Sequence, residues 1–137
     1  MRMLFFAHSG LRHLVLLAGL VALGYFAYAV ATRAGNERVA RIIGSTFVGL
    51  VDLQLVIGIV MVALGLFYSA LIGHLFMMVA AAVVAHVAMV MGRNTDPPAR
   101  GNAIRLAGVA AALLLIVGGI QAIGRSVFGT SGGPSIL

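Results

Sequence analysis

Four long apolar runs, separated by short polar segments, make up most of the chain. They extend over about residues 3–32, 42–67, 72–91 and 103–124. Each run is near or above the roughly 20 residues with which an α-helix crosses the hydrocarbon core of a bilayer. No segment shows the alternation of apolar and polar positions that is typical of membrane-spanning strands. The pattern therefore predicts four transmembrane helices.

The segments between the runs predict how these helices are arranged. Residues 93–102 include two prolines and a glycine among polar side chains, which should interrupt a helix, whereas residues 68–73 form a very short link. Short links make consecutive helices antiparallel neighbours. We therefore expect an all-α integral membrane protein, with a single domain over residues 1–137 folded as an antiparallel up-down four-helix bundle. Residues 125–137, rich in Gly and Ser, should form a loose tail.

Composition makes lipid the expected solvent for the outer face of this bundle. Hydrophobic residues make up 62% of the chain, charged residues make up 9%, and the mean hydropathy is +1.14. Soluble domains have roughly 45–50% apolar and about 25% charged residues, so this chain has too few polar groups to cover its surface in water. The chain has no cysteine, which excludes disulfides, thiolate metal sites and covalently attached haem.

The arginines predict the orientation of the helices. All nine basic residues are arginines, scattered singly near the ends of the apolar runs. Such scatter is typical of membrane topology signals and does not predict a nucleic-acid partner. Six of them lie at the first and third links: Arg33, Arg38, Arg41, Arg93, Arg100 and Arg105. The other three are Arg2, Arg12 and Arg125. Because cytoplasmic loops carry the excess of arginine, both termini are expected on the outer, periplasmic side.

Ionisable and amide side chains within the runs are candidate functional residues, because a membrane helix holds them only at a cost in free energy. They are His8, Arg12, His13, Asp52, Gln54, His74, His86, Gln121 and Arg125. Counted from the predicted cytoplasmic helix ends, His13 lies roughly 30 Å up, His74 roughly 28 Å and His8 roughly 37 Å. Similar depth on facing helices predicts that His13 and His74 approach each other, with His8 as the rival of His13.

Two imidazoles on facing helices of a bundle can ligate a haem iron from both sides. Small residues on the same helix faces would make room for the ring, and Arg12 and Arg125 lie at the level where haem propionates need a cation. The other interpretation is plain packing, since small-residue stripes also let membrane helices approach each other.

Asp52 is the only acid within a predicted span, and its depth is within one helical turn of that of His86. It is either a neutral acid hydrogen-bonded within the bundle or, with His86 and the nearby Gln54, a contact for protons or quinone. A second haem at His86 is not predicted, because Tyr25 and Tyr28, and no histidine, lie at that depth on the first helix.

The order of these features resembles a family of small bacterial inner-membrane proteins often labelled cytochrome b-like. The chain has the family's His-Ser-x-Leu-Arg segment at residues 8–12 and its Leu-Gln-Leu-x-x-Gly segment at residues 53–58. It also has the two histidines of the third helix, His74 and His86, although Gly73 stands where the family tends to have an acid. The resemblance covers nearly the whole chain. It implies four helices, b-type haem or a related redox role, and His8 as the first-helix ligand.

The sequence thus predicts a multi-pass protein of the bacterial inner membrane that binds haem b. It would act as an electron-transfer protein or as the haem-bearing anchor of a larger redox complex. The alternative is a haem-free accessory subunit of a respiratory or photosynthetic complex. Membrane lipid, a larger complex or a second copy, and quinone are the expected partners, and no catalytic residue is assigned. A transporter is disfavoured, because the predicted spans contain only one acid and the sequence shows no inverted repeat.

Overall fold

Four α-helices form the computed structural model of this protein, which describes residues 2–124. They are α1 (Arg2–Thr32), α2 (Glu37–Ala63), α3 (Leu71–Arg93) and α4 (Pro98–Ala122), and no strand occurs in that range. All four are long and apolar enough to cross a membrane. The predicted all-helical fold with four apolar helices is confirmed. The predicted tail and Arg125 lie outside the described residues.

The second helix begins earlier than the apolar pattern predicts, because Asn36 caps it. The side-chain oxygen of Asn36 accepts hydrogen bonds from the backbone N–H of Arg38 at 2.8 Å and of Val39 at 3.3 Å. These two bonds satisfy donors that the first turn of a helix leaves without partners. α2 then ends at Ala63, just before Gly65 takes a φ of 107°, a conformation that favours glycine. The predicted end at residue 67 is therefore too late.

The fourth helix also begins earlier, at Pro98 and not near residue 103. The sequence analysis treated both prolines as helix breakers. A proline in the first turn is tolerated, because the N–H that it lacks has no partner inside the helix at that position. The break between α3 and α4 is accordingly confined to residues 94–97.

Each helix packs against its neighbours in the chain, and α1 also packs against α4. Among these four contacts, that between α3 and α4 is the most extensive and that between α2 and α3 the least extensive. Small residues explain the closeness of α3 and α4: a Cβ atom added to Gly108 would overlap Ala88, and one added to Gly101 would overlap the carbonyl oxygen of Gly92. The centre of the bundle is filled by large side chains that are completely buried, Phe26 and Phe47 among them.

The outward surface is apolar along all four helices. Phe76 is 76% exposed and Leu114 is 74% exposed. Only 22–39% of the most apolar stretch of each helix is buried within the bundle. Exposure of so much apolar surface in water would be unfavourable. The described helices therefore have the surface of a protein whose solvent is lipid.

The contacts define two ends of the bundle. One end holds His8, Gln54, Gly58, His74 and Gly119 and is called the histidine end below. The other holds Glu37, Arg41, Arg93 and Arg105 and is called the arginine end. The polar side chains that the sequence scatters along the chain are thus collected at opposite ends of one hydrophobic core.

Candidate functional site

His74, in the first turns of α3, is the most firmly held residue of the histidine end. The side chain is buried, with 9% of its surface exposed. Its Nδ1 atom lies 2.9 Å from the carbonyl oxygen of Gly119 in α4. A carbonyl oxygen can only accept a hydrogen bond, so Nδ1 must carry the proton. In the neutral ring Nε2 then keeps its lone pair, which is the state in which histidine binds a metal.

Glycine at position 119 is what brings this carbonyl so close to the ring. A Cβ atom added to Gly119 would lie 2.5 Å from Cε of Met78 and 3.5 Å from Nδ1 of His74. The first distance is shorter than real Cβ atoms show, so Met78 would have to move. Gly119 therefore lets α4 approach α3 closely enough for its backbone to fix the orientation of His74.

His8 of α1 lies against His74 across the bundle. The centres of the two imidazole rings are 6.4 Å apart, and the ring planes are inclined by 75°. His8 in turn rests on α2, where a Cβ atom added to Gly58 would lie 3.1 Å from its Cε1. The backbone carbonyl of His8 also accepts a 2.7 Å hydrogen bond from Nε2 of Gln54. Side chains and backbone from all four helices thus converge on this pair of rings.

The separation of the two rings fits a shared metal ion. Two imidazoles bound to opposite sides of one ion, each through a bond of about 2 Å, have ring centres about 6 Å apart. The described residues contain no group of three or more His, Cys, Asp or Glu side chains that could hold a metal ion by themselves. Two histidines alone leave the other coordination positions of an ion to ligands that it would bring with it, as the iron of a haem does.

Gln54 supplies a further polar atom at this end. While its Nε2 donates to the backbone of His8, its Oε1 is buried without a hydrogen-bond partner. A buried acceptor in this state is costly unless a donor reaches it. Sequence analysis placed Gln54 with Asp52 and His86, but the structure puts it beside His8.

His13, which depth favours as the partner of His74, is exposed on the outside of α1. Arg12, the residue before it, is buried at the histidine end, together with Ser9. Residues five positions apart on a helix differ by about 140° in direction. His8 and His13 therefore cannot both face the interior, and the structure brings His8 to His74. The prediction from depth along the helix axis did not consider the direction of each side chain about that axis.

Asp52 and His86 form a hydrogen-bonded pair between α2 and α3. Nε2 of His86 lies 2.8 Å and 3.0 Å from the two carboxylate oxygens of Asp52. The side chain of His86 is 53% exposed and that of Asp52 is 44% exposed. The pair therefore lies on the outer surface of the bundle and does not contact the His8–His74 pair.

Sequence analysis missed an ion pair at the arginine end. The guanidinium of Arg105, 3% exposed, donates to both carboxylate oxygens of Glu37 at 2.6 Å and 3.1 Å. It also donates to the side-chain oxygen of Asn102 at 3.0 Å. The spacing of Asn102 and Arg105, three residues apart and so on one face of a helix, predicts their own contact but not the pairing with Glu37. It was overlooked because residues 93–102 were predicted to be a loop.

Comparison of the chain with protein-family models, with curated proteins and with solved structures finds no match. The resemblance to cytochrome b-like proteins thus gains no support from these comparisons. Function has to be inferred from the residues of the histidine end themselves.

Proposed function

We propose that this chain is a bacterial inner-membrane protein that binds one b-type haem between His8 and His74. It would transfer electrons by itself or as the haem-bearing anchor of a larger redox complex. The observation that carries the proposal is the pair of imidazole rings at 6.4 Å, one of them with its Nδ1 proton directed to a backbone carbonyl. Two imidazoles at this separation would be able to hold one ion between them, and the bond to Gly119 fixes the tautomer of one ligand.

The proposed arrangement in the membrane has four helices that cross in alternating directions, with both termini outside. The excess of arginines at the links α1–α2 and α3–α4 supports this orientation. The histidine end then lies near the outer surface and the arginine end near the cytoplasm. Haem bound at the histidine end would exchange electrons with a partner on the outer side.

The residues of the chain would have distinct tasks in this site. A haem held by two histidines supplies one-electron transfer when bound. Gly119 orients His74 through its carbonyl oxygen, and Gly58 leaves room for the ring of His8. Gln54 ties α1 to α2 at the level of that ring. Arg12, buried one turn from His8, would offset the charge of a propionate.

A second candidate function is a haem-free accessory subunit of a respiratory or photosynthetic complex. The half-exposed Asp52–His86 pair favours it, because an ion pair on a lipid-facing surface is costly and a protein partner, a second copy or a quinone headgroup would cover it. The two functions are compatible, since an anchor subunit also needs a face for its partner.

An absorption spectrum of the purified protein tests the proposal. The protein should be produced in cells supplied with a haem precursor and extracted in mild detergent. We expect a Soret band, and an α-band that sharpens on reduction with dithionite, at one haem per chain. A colourless protein that also fails to take up added haemin would exclude the haem proposal. It would leave the accessory subunit, which native sizing of the detergent extract then tests.

A further inference from the structure

At the arginine end, a small depression opens between α2, α3 and α4. Its volume is about 30 Å³, and three arginines line it: Arg41, Arg93 and Arg105. Ser45 and Met89 form part of its wall. Gly44 allows Met89 to pack closely against α2, because a Cβ atom at position 44 would lie 2.6 Å from the sulfur of Met89. Arginines from three different helices thus surround one opening.

The charges around the depression are only partly neutralised. Glu37 is the single acid in the cluster, and its carboxylate binds the buried Arg105 through two hydrogen bonds. Arg41 reaches the same carboxylate with Nε alone, at 3.5 Å. Within residues 2–124, no carboxylate lies within ion-pair distance of the guanidinium of Arg93, and the residue is exposed. Three guanidinium groups and one carboxylate leave a net charge of 3 − 1 = +2.

The size of the depression limits what it can receive. A depression of about 30 Å³ has room for a few atoms at most, since about 10–15 Å³ of such volume already holds one water molecule. It would therefore admit one oxygen of an anion, while the rest of the anion lies between the exposed guanidinium groups of Arg41 and Arg93. A tetrahedral phosphate fits this description, since it offers several oxygens to separate donors.

The surroundings indicate a lipid as the source of that phosphate. Arg93 shares the outward face of α3 with Val83, which is 55% exposed, and Val90, which is 46% exposed. His86 lies between the two valines on the same face, and the valines would lie along acyl chains in a membrane. Basic pockets between transmembrane helices at the cytoplasmic surface are suited to anionic headgroups.

We propose that the arginine end binds the phosphate of an anionic phospholipid. Arg41 and Arg93 contact the phosphate, and Arg105, fixed by Glu37 and Asn102, forms the positive floor of the site. This proposal is independent of haem, because the site lies at the opposite end of the bundle and shares no residue with the histidine end.

Lipid binding by native mass spectrometry tests it. The full chain, delipidated in mild detergent, is titrated with phosphatidylglycerol and with phosphatidylcholine of the same acyl chains. We expect one phosphatidylglycerol to be retained in preference to phosphatidylcholine. The double variant Arg41→Gln/Arg93→Gln should weaken phosphatidylglycerol binding about 30-fold, the combined effect of two arginines at a membrane surface. Phosphatidylcholine binding should not change.

The matched control is Arg33→Gln/Arg100→Gln, which removes two exposed arginines from the same end without touching the depression. It should keep the preference for phosphatidylglycerol. Equal losses in both double variants, or equal binding of the two lipids, would overturn the proposal. The proposal would also be overturned if millimolar inorganic phosphate displaced phosphatidylglycerol from the unchanged protein but not from the double variant. The site would then bind free phosphate through Arg41 and Arg93. If the double variant does not fold, Arg93→Gln alone should weaken binding about fivefold.

Discussion

The two ends of the bundle hold similar numbers of polar side chains but use them differently. At the arginine end, the buried Arg105 is satisfied within the protein, by Glu37 and Asn102. At the histidine end, His74 is fixed through one ring nitrogen only, and a second imidazole lies beside it. A buried charge that meets its counter-charge holds the fold together, whereas a buried base that is oriented and left with a lone pair is suited to bind a ligand.

The largest effect should come from removing His74. We expect His74→Ala to abolish the low-spin haem spectrum completely, because the anchored axial ligand is lost. His8→Ala should also abolish it, leaving five-coordinate iron or no haem. His13→Ala is the matched control, since it removes an exposed histidine of the same helix. Absorption and electron paramagnetic resonance spectra record the result. A low-spin spectrum that survives in His74→Ala would exclude His74 as a haem ligand.

A substitution at the arginine end should lower the stability of the protein and leave the haem spectrum unchanged. Glu37→Gln removes the counter-charge of a guanidinium that is 3% exposed, and should cost about 2–3 kcal/mol, less than a fully buried pair because Glu37 is half-exposed. The midpoint of thermal unfolding in detergent reports this loss, and the haem spectrum should stay unchanged. Asp96→Asn, an exposed acid in the α3–α4 link, is the control. An unchanged midpoint in Glu37→Gln would show that the two ends do not differ as described.

A smaller effect is expected where a glycine supports the site without contributing a ligand. In Gly58→Ala, the new methyl group would lie 3.1 Å from the ring of His8, so the ring must shift by a few tenths of an ångström. We expect the protein to fold and to bind haem more weakly, by about fivefold, because about 1 kcal/mol of strain falls on one ligand. Gly49→Ala, also in α2, has open space for its methyl group and should bind haem normally. Equal haem titration curves for the two variants would contradict the role given to Gly58.

The smallest effect should follow from Asp52→Asn. Both members of the Asp52–His86 pair are about half-exposed on the outer surface of the bundle, and asparagine can still form a hydrogen bond with His86, so the packing inside the bundle should not change. The variant should keep the haem spectrum and unfold close to the midpoint of the unchanged protein. His86→Ala should behave in the same way. Loss of haem in either variant would mean that the site extends to the α2–α3 surface.

The sequence predicts the fold well because four apolar runs leave a chain in lipid few alternatives to helices. The predicted helix ends are wrong where Asn36 caps α2 and where Pro98 begins α4. Capping and first-turn geometry determine these ends, and hydropathy does not record either of them. The partner of His74 could not be derived, because depth along a helix says nothing of rotation about its axis, which separates His8 from His13.

Two contacts of the site have no signal in the sequence at all. The acceptor for His74 is a backbone carbonyl, which every residue has, and only the packing of α3 on α4 selects that of Gly119. Arg105 and Glu37 are 68 residues apart in the chain, so their pairing depends on which helices become neighbours. Such contacts follow from tertiary packing and cannot be predicted from local patterns.

The hydrogen bond between His74 and Gly119 also has a consequence for the proposed haem site, because it joins helices that are made at different times. His8 and His74 belong to α1 and α3, but the carbonyl that fixes the tautomer of His74 belongs to α4, the last of the described helices to leave the ribosome. A nascent chain inserted only as far as α3 would offer two imidazoles of undefined protonation. If the chain holds a haem as proposed, the ligand His74 would be fully oriented only after α4 has packed against α3.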